Sequence, residues 1–197
     1  KSQVEDIESK KNKPYWWKIY GSGMRSAREG VIFENWELGE FQQTELFCYG
    51  LDWGYYPDPL AIIKVSVDKS TKKIYLCEVG YDTNVNDVLN YVVPRIPDKK
   101  SLIICDTNEE RTRQALLKKG YNIQKARKGE IVADIRELEQ YRLIVAPGSQ
   151  NLIVELSAYV WNDKKSSTPI GEFNHLIDAM RYAAMRLIRG GGVLASG

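Results

Sequence analysis

The chain has 197 residues, of which 43% are apolar and 27% are charged, and 28 lysines and arginines nearly balance 26 aspartates and glutamates. This length suits one domain with a substantial core, and the apolar content excludes a mainly disordered protein. No apolar run approaches the roughly 18–20 residues that a membrane span requires, so we expect no membrane partner. A net charge of +2 does not by itself indicate a nucleic-acid partner, which must be argued from local sequence.

The few cysteines and the single histidine limit the chemistry that the chain can perform. Cys48, Cys77 and Cys105 lie in apolar, strand-like runs, which is typical of buried thiols in a reducing compartment rather than of disulfides. With only His175 and no Cys-x-x-Cys motif, we do not expect a zinc site. If the protein is an enzyme, carboxylates are therefore its expected catalytic groups.

Composition divides the chain into three parts. Residues 1–29 are rich in charge at their start and in glycine at their end, and we interpret them as a linker. Residues 30–189 form the predicted domain, in which Val31–Phe33 is a candidate short strand. Residues 190–197 begin with three glycines and are interpreted as a flexible tail.

The order of elements in this domain becomes legible from residue 46. Apolar runs joined by short polar turns predict three antiparallel strands, at Leu46–Leu51, Leu60–Val67 and Ile74–Val79. Helical spacing then predicts a helix that Pro94 ends, and a capping box at Thr107 and Glu110 opens a second helix. The remaining predicted elements are strands at Leu102–Cys105, Asn122–Ala126 and Leu143–Val145, helices through Ile131–Leu138, Leu152–Leu156 and Asn174–Ile188, and a polar loop at Asn162–Thr168. This order predicts an α/β fold, with a mixed sheet of three antiparallel strands followed by parallel strands, and helices on both faces.

Three aspartates stand where a carboxylate can act. Asp52 ends the apolar first strand, where an unpaired charge is costly. Asp106 ends the fourth strand, and ligands of α/β sheets gather at the carboxyl ends of strands. Asp178 lies in the last helix. If the first and fourth strands are parallel neighbours, that helix can place Asp178 beside the other two carboxylates.

Each aspartate also has a structural alternative. Asp52 could lie in a turn, and Asp106 could cap the following helix. On a helical wheel Asp178 falls on the side away from the apolar stripe, which favours a solvated side chain. The catalytic hypothesis gains weight because one fold brings all three residues to one place.

A cluster of such carboxylates favours metal ions. Two carboxylates about 4 Å apart repel by about 4 kcal/mol at an effective dielectric constant near 20, so the cluster needs a proton or a cation. Oxygen ligands suit Mg²⁺ or Mn²⁺. Two such ions about 3.5–4 Å apart can activate a water and stabilise the leaving oxygen of a phosphodiester. The aspartates therefore predict a metal-dependent site for a polyanion.

A basic stretch supplies candidate contacts to phosphates. Between residues 118 and 142, seven lysines and arginines stand against four aspartates and glutamates. Lys125, Arg127 and Lys128 sit at the end of the fifth predicted strand, beside the proposed site, and are candidate DNA-binding residues. A solvated face with ion pairs along a helix is the alternative.

Five segments carry a resemblance to a known family. They are Gly30-Val-Ile-Phe-Glu-Asn-Trp36, Gly50-Leu-Asp-Trp-Gly54 with Asp58-Pro59 following, Ile104-Cys-Asp106, Lys128-Gly129 and Asn174-His-Leu-Ile-Asp-Ala-Met-Arg-Tyr182. In this order they resemble the C-terminal nuclease domain of the large terminase subunit, the DNA-packaging motor protein of tailed double-stranded DNA bacteriophages. The resemblance implies an RNase H-like fold, whose order of elements agrees with the predicted one.

The resemblance also implies roles for single residues. The three aspartates would be catalytic and would bind Mg²⁺ or Mn²⁺, with two ions expected, and Lys128 would lie near the bound phosphates. His175 would be a neighbour of the site, and Asn174 and Glu155 are further supporting residues, although helix packing explains Glu155 equally well. The chain contains no G-x-x-x-x-G-K-[ST] motif, so we expect no ATP site in it.

The function implied by the resemblance is metal-dependent endonucleolytic cleavage of concatemeric viral double-stranded DNA during genome packaging. The implied partners are that DNA, the ATPase half of the same polypeptide, the portal and the small terminase subunit, and the implied location is the host cytoplasm. Two alternatives stay open: another RNase H-like nuclease, such as a junction resolvase or a hybrid-specific ribonuclease, and a non-catalytic docking module.

Overall fold

A computed structural model describes residues 30–54, 57–162, 165–169 and 174–190. The predicted linker at 1–29 and residues 191–197 of the predicted tail lie outside the described residues, so the domain boundaries stay a prediction. In the described ranges, no helix has both the length and the apolar character that crossing a membrane would require.

Seven strands form one mixed sheet. They are β1 (Trp36–Leu38), β2 (Phe47–Asp52), β3 (Leu60–Asp68), β4 (Lys73–Asp82), β5 (Ile103–Cys105), β6 (Ile123–Lys125) and β7 (Arg142–Val145). Their order across the sheet is β1-β7-β4-β3-β2-β5-β6. The central strands β2, β3 and β4 are antiparallel, whereas β5 and β6 on one side and β7 and β1 on the other join in parallel pairs. The predicted mixed sheet is therefore confirmed.

Five described helices cover both faces of the sheet, as predicted. They are α1 (Val88–Arg95), α2 (Glu110–Lys118), α3 (Ile131–Leu138), α4 (Gln150–Ala158) and α5 (His175–Arg189). Apolar side chains of α1 and α2 share a core with one face of the sheet, and those of α3, α4 and α5 share a core with the other face. A small hairpin of β8 (Trp161–Asn162) and β9 (Lys165–Pro169) lies outside the main sheet.

The alternation of side chains along β2 determines which face receives its final carboxylate. Tyr49 and Leu51 belong to the core under α1 and α2, whereas Cys48 belongs to the core under α5. Successive side chains of a strand point to opposite faces, so Asp52 lies on the α5 side.

Gly50 lets α5 lie directly against β2. A Cβ atom at this position would lie 2.0 Å from the carbonyl oxygen of Ala179 and 3.1 Å from the side chain of Ile63. The side chain of Ala179 is itself fully buried. This close approach brings Asp178, the residue before Ala179, towards the carboxyl end of β2.

Helix starts and ends differ from several sequence expectations. Pro94 does not end the first helix but lies inside its last turn, and the Asp87 side chain caps the start by accepting from the amide of Asn90. The capping box at Thr107 and Glu110 does not form. The amide of Thr107 instead donates to the side chain of Asp106, and the α2 helix begins only at Glu110.

Two short edge elements also differ. Val31–Phe33 is not a strand, since Val31 makes only an isolated bridge to Val160. The edge strand is Trp36–Leu38, which pairs in parallel with Leu143–Val145 of β7. The predicted polar loop at 162–168 overlaps both strands of the β8–β9 hairpin.

Candidate active site

Asp52 and Asp106 lie at the ends of two adjacent parallel strands. Leu51 pairs with Cys105, and the amide of Asp106 donates to the carbonyl oxygen of Leu51 at 3.1 Å. Both aspartates are buried, with exposed fractions of 9% and 7%. Ile104 belongs to the core under α5, so alternation places Asp106 on the same side as Asp52. The turn interpretation of Asp52 is wrong, because this residue closes β2 itself.

Asp178 lies in the first turn of α5, on the face of the sheet that Asp52 and Asp106 share. The expectation of a solvated side chain is wrong, since 23% of its side chain is exposed and burial raises its pKa. The helical wheel misleads here because α5 packs on the sheet and also contacts α3 and α4, so apolar residues are needed around most of the helix.

The charges of all three carboxylates affect the pKa of the Tyr182 hydroxyl. Burial raises its pKa most, and the negative charges of Asp178, Asp106 and Asp52 raise it further. Charge interactions of this kind weaken with distance, so each of the three carboxylates lies near enough to Tyr182 to raise its pKa. β2, β5 and α5 therefore meet at one face of the sheet, whereas a shared metal site for their three carboxylates stays a prediction.

Basic side chains pair with two of these carboxylates. The Lys128 Nζ atom lies 2.7 Å from Asp106 Oδ1, with 47% of the lysine side chain exposed. The Arg181 Nη2 atom lies 3.0 Å from Asp178 Oδ1, with only 6% of the arginine side chain exposed. Asp106 therefore has a half-exposed partner, and Asp178 has a buried one.

His175 pairs with the remaining carboxylate. Its Nδ1 atom lies 3.0 Å from Asp52 Oδ2, and its Nε2 atom lies 3.6 Å from Asp58 Oδ1. Burial lowers the pKa of His175, but the hydrogen bond and charge of Asp52, with the charges of Glu155 and Asp58, raise it above its ordinary value overall. The imidazole is therefore held between two carboxylates, as a neighbour of the site.

Glu155 and Asn174 support the start of α5. Glu155 is 2% exposed, and its Oε2 atom accepts from the amide of Ile177 at 3.0 Å. Burial raises the pKa of Glu155 to about 8, although hydrogen bonds from this helix end and the charge of His175 lower it in part. The carbonyl oxygen of Asn174 accepts from the amide of Asp178 at 2.8 Å. Both residues thus fix the turn that carries Asp178.

Within the described ranges, the other predicted DNA-binding residues do not pair with the three aspartates. Lys125 pairs with Glu110, their charged atoms 2.7 Å apart, and about half of each side chain is exposed. Arg127 is exposed. Of the three predicted phosphate contacts, Lys128 is therefore the one that touches an aspartate of the site.

The carboxylates suit a divalent cation by chemical type but are not arranged around one. In the ranges that the structure describes, no group of three or more His, Cys, Asp or Glu side chains is placed to hold a metal ion. Instead, Lys128, Arg181 and His175 each occupy a carboxylate oxygen. Carboxylate oxygens are the ligands that Mg²⁺ and Mn²⁺ prefer, and the charge of Asp52 raises the pKa of Asp178, so negative charge is concentrated here.

Two contributors to the site were not predicted from the sequence. Arg181 stands three residues after Asp178 on α5, a spacing at which opposite charges meet on a helix, so the pair could have been recognised. Asp58 lies 3.6 Å from His175 Nε2, and nearby Pro59 packs so closely on Gly54 that a Cβ atom there would lie 2.0 Å from its carbonyl group. No sequence pattern announces that second contact.

Comparisons with known proteins relate this chain to large terminase subunits. The large subunit of the terminase of Bacillus phage SPP1 is 29% identical over 97% of this chain and 49% of that protein, so the chain spans about half the length of this relative. The crystal structure of the SPP1 large terminase nuclease domain with bound manganese is 30% identical, covers 79% of this chain and 98% of that chain, and has a TM-score of 0.66.

A more distant structure shares the fold. The nuclease domain of the P22 large terminase covers 82% of this chain and 93% of that chain, with a TM-score of 0.65 at 17% identity. The sequence model of the family described as the terminase RNAseH like domain matches residues 52–185, which contain Asp52, Asp106 and Asp178. The chain therefore belongs to the terminase RNase H-like domain family, and its mixed sheet with flanking helices is the fold of the large terminase nuclease domains.

Proposed function

We propose that this chain is a metal-dependent endonuclease that cleaves double-stranded viral DNA concatemers during genome packaging. The observation that carries the proposal is the placement of Asp52 and Asp106 at the ends of two adjacent parallel strands, with Asp178 in the helix that packs on them, in a chain of the terminase RNase H-like domain family. Manganese bound to the related SPP1 nuclease domain supports a divalent cation as the cofactor.

The three aspartates are the residues that would hold the metal. We propose two ions, each Mg²⁺ or Mn²⁺. Such ions, when bound, supply a deprotonated water and neutralise charge on the scissile phosphate. His175 orients Asp52 through the hydrogen bond to its Oδ2 atom. Because half of its side chain is exposed, Lys128 can leave Asp106 and bind a DNA phosphate.

Lys125 and Arg127 extend this basic edge, and we propose that they contact the DNA backbone rather than its bases. Contacts to phosphates position a protein on DNA without reading sequence. We therefore expect cleavage with little sequence preference, and weaker binding as the salt concentration rises.

The proposed partners follow from the share of the relative that the chain covers. The SPP1 large subunit is about twice as long as this chain, and we propose that an ATPase half belongs to the same polypeptide. The portal, the small terminase subunit and a location in the host cytoplasm complete the proposal.

The proposal is tested by nicking of supercoiled plasmid DNA in Mn²⁺ or Mg²⁺. Asp106→Asn and Asp178→Asn each remove one carboxylate charge with little change in shape, and we expect both to abolish nicking. Asp98→Asn is the matched control, since Asp98 is an exposed turn residue that accepts from Ser101 and Lys100 before β5. Nicking that survives in both site variants would refute the catalytic assignment.

The same assay separates the alternative functions. An RNA–DNA hybrid and a four-way junction, offered in place of the plasmid, test for a hybrid-specific ribonuclease and for a junction resolvase. Preference for either over duplex DNA would replace the proposed substrate. Folded wild-type protein without cleavage of any of the three substrates would favour a docking module.

A further inference from the structure

We infer that Arg181 and Asp134 are positioning residues that set the orientation and charge of Asp178 for metal binding. This inference rests on the proposed function, because it assigns Asp178 to the metal. Neither Arg181 nor Asp134 would touch the metal or the DNA, and both would act through Asp178.

The contacts of Arg181 join two helices. Its Nη2 and Nε atoms lie 3.0 Å and 3.4 Å from Asp178 Oδ1, and its Nη1 atom lies 3.1 Å from Asp134 Oδ2. Asp178 and Arg181 lie on α5, whereas Asp134 lies on α3. The planar guanidinium group, which can donate in two directions at once, therefore bridges the two carboxylates.

Both contacts to Asp178 use the same oxygen atom. Within the part of the chain that the structure describes, no hydrogen bond reaches Asp178 Oδ2. The arginine thus fixes the carboxylate through Oδ1 and leaves the second oxygen for another ligand. A carboxylate that binds a metal is typically hydrogen-bonded in this way through the oxygen that faces the protein.

Asp134 is as deeply buried as the arginine that it holds. The exposed fractions of the Asp134 and Arg181 side chains are 3% and 6%. Arg189, near the end of α5, contacts the other oxygen of Asp134 at 2.7 Å. Gly129 lies against the same carboxylate, since a Cβ atom there would be 3.2 Å from Asp134 Oδ1. The loop that carries Lys128 therefore packs on this network.

The charge of Asp134 offsets positive charge beside Asp178. Arg181 divides its single positive charge between two carboxylates, and with Arg189 on the other oxygen of Asp134 the four groups carry no net charge. Without Asp134, the whole charge of Arg181 would act on Asp178. A buried ion pair is a weak source of stability in itself, because desolvation offsets most of the attraction. Orientation of the Asp178 carboxylate therefore accounts for this buried network better than a contribution to stability does.

Mn²⁺ binding to the 197-residue chain, measured by titration calorimetry and by the electron paramagnetic resonance of free Mn²⁺, tests the inference without any activity measurement. Asp134→Asn keeps the shape of the side chain and removes its charge. We expect it to weaken Mn²⁺ binding by about tenfold or more, the usual effect of changing a residue that supports a metal ligand.

Two further variants complete the design. Arg181→Lys keeps the charge but loses the forked geometry, so we expect a similar loss, and it carries the test if Asp134→Asn does not fold. Glu139→Gln is the matched control, because it removes one charge from the exposed C-cap position of the same helix. We expect its Mn²⁺ affinity to stay within about twofold of wild type.

The outcomes separate this inference from the proposed function. If wild type binds Mn²⁺ and Asp134→Asn or Arg181→Lys binds it equally tightly, with only a lower melting temperature, the network is merely structural and the inference is wrong. If wild type itself binds no Mn²⁺, the proposed metal site is wrong and the inference falls with it. Weaker binding in both variants, with an unchanged control, supports the inference.

Discussion

Substituting Gly50 by alanine tests whether α5 lies on β2 as closely as the candidate site requires. The new methyl group would lie 2.0 Å from the carbonyl oxygen of Ala179, about 1.4 Å short of the 3.4 Å at which ordinary contact begins. The obstructing atoms belong to a helix backbone, which cannot rotate aside. Overpacking of a core costs about 1–3 kcal/mol, and we expect the upper end of this range, about 3 kcal/mol.

For a chain of this size, such a loss lowers the melting temperature by about 6–12 °C, measured by circular dichroism during heating and checked by urea unfolding. Because the helix must move beside Asp178, Mn²⁺ binding is expected to weaken as well. Gly148→Ala is the matched control, since no atom lies within 4 Å of its added Cβ, and we expect a change within about 0.5 kcal/mol. A Gly50→Ala protein as stable as this control would show that the helix does not approach the strand, and the grouping of the carboxylates would lose its support.

Three further predictions concern single ionisable groups. Lys128→Met removes the ammonium group that competes with a metal ion for Asp106. Calorimetry without DNA is therefore expected to show Mn²⁺ binding that is tighter by about two- to fivefold, and an unchanged Mn²⁺ affinity would contradict this competition. The pKa of His175 is raised above its ordinary 6.5, so its proton resonance in metal-free wild type is expected to titrate above that pH, and at lower pH in Asp52→Asn. The stabilising contribution of this histidine is complete below pH 6.5 and is lost as the pH rises through the folded-state pKa. Glu155 has a folded-state pKa of about 8 against an ordinary 4.5, so wild type is expected to lose stability as the pH rises between these values. Urea unfolding of Glu155→Gln is expected to show no such loss, and parallel pH profiles of the two proteins would refute the assignment.

Local pattern was sufficient to predict where the first two carboxylates lie. Apolar runs gave the ends of β2 and β5, and the rule that ligands gather at the carboxyl ends of strands then singled out Asp52 and Asp106. The structure confirms both positions, which depend only on short-range alternation and on one parallel pairing.

The surroundings of Asp178 depended on tertiary packing and could not be read in the same way. A helical wheel assumes one buried face, but α5 is enclosed by the sheet and by two other helices. Asp134 looks like an ordinary solvent-facing residue of a short amphipathic helix, and only the fold brings Arg181 to it across 47 positions of sequence. Long-range pairing of this kind leaves no periodic signal in the chain.

The order of the elements along the chain determines when the candidate site can form. Asp52 comes from the second strand and Asp178 from the fifth helix, and the strands and helices between them supply the wall against which both rest. A nascent or proteolytically shortened polypeptide without α5 would lack one carboxylate and would leave that whole wall open to solvent. The proposed metal site is therefore complete only once α5 has packed on the sheet, so its assembly depends on nearly the whole fold.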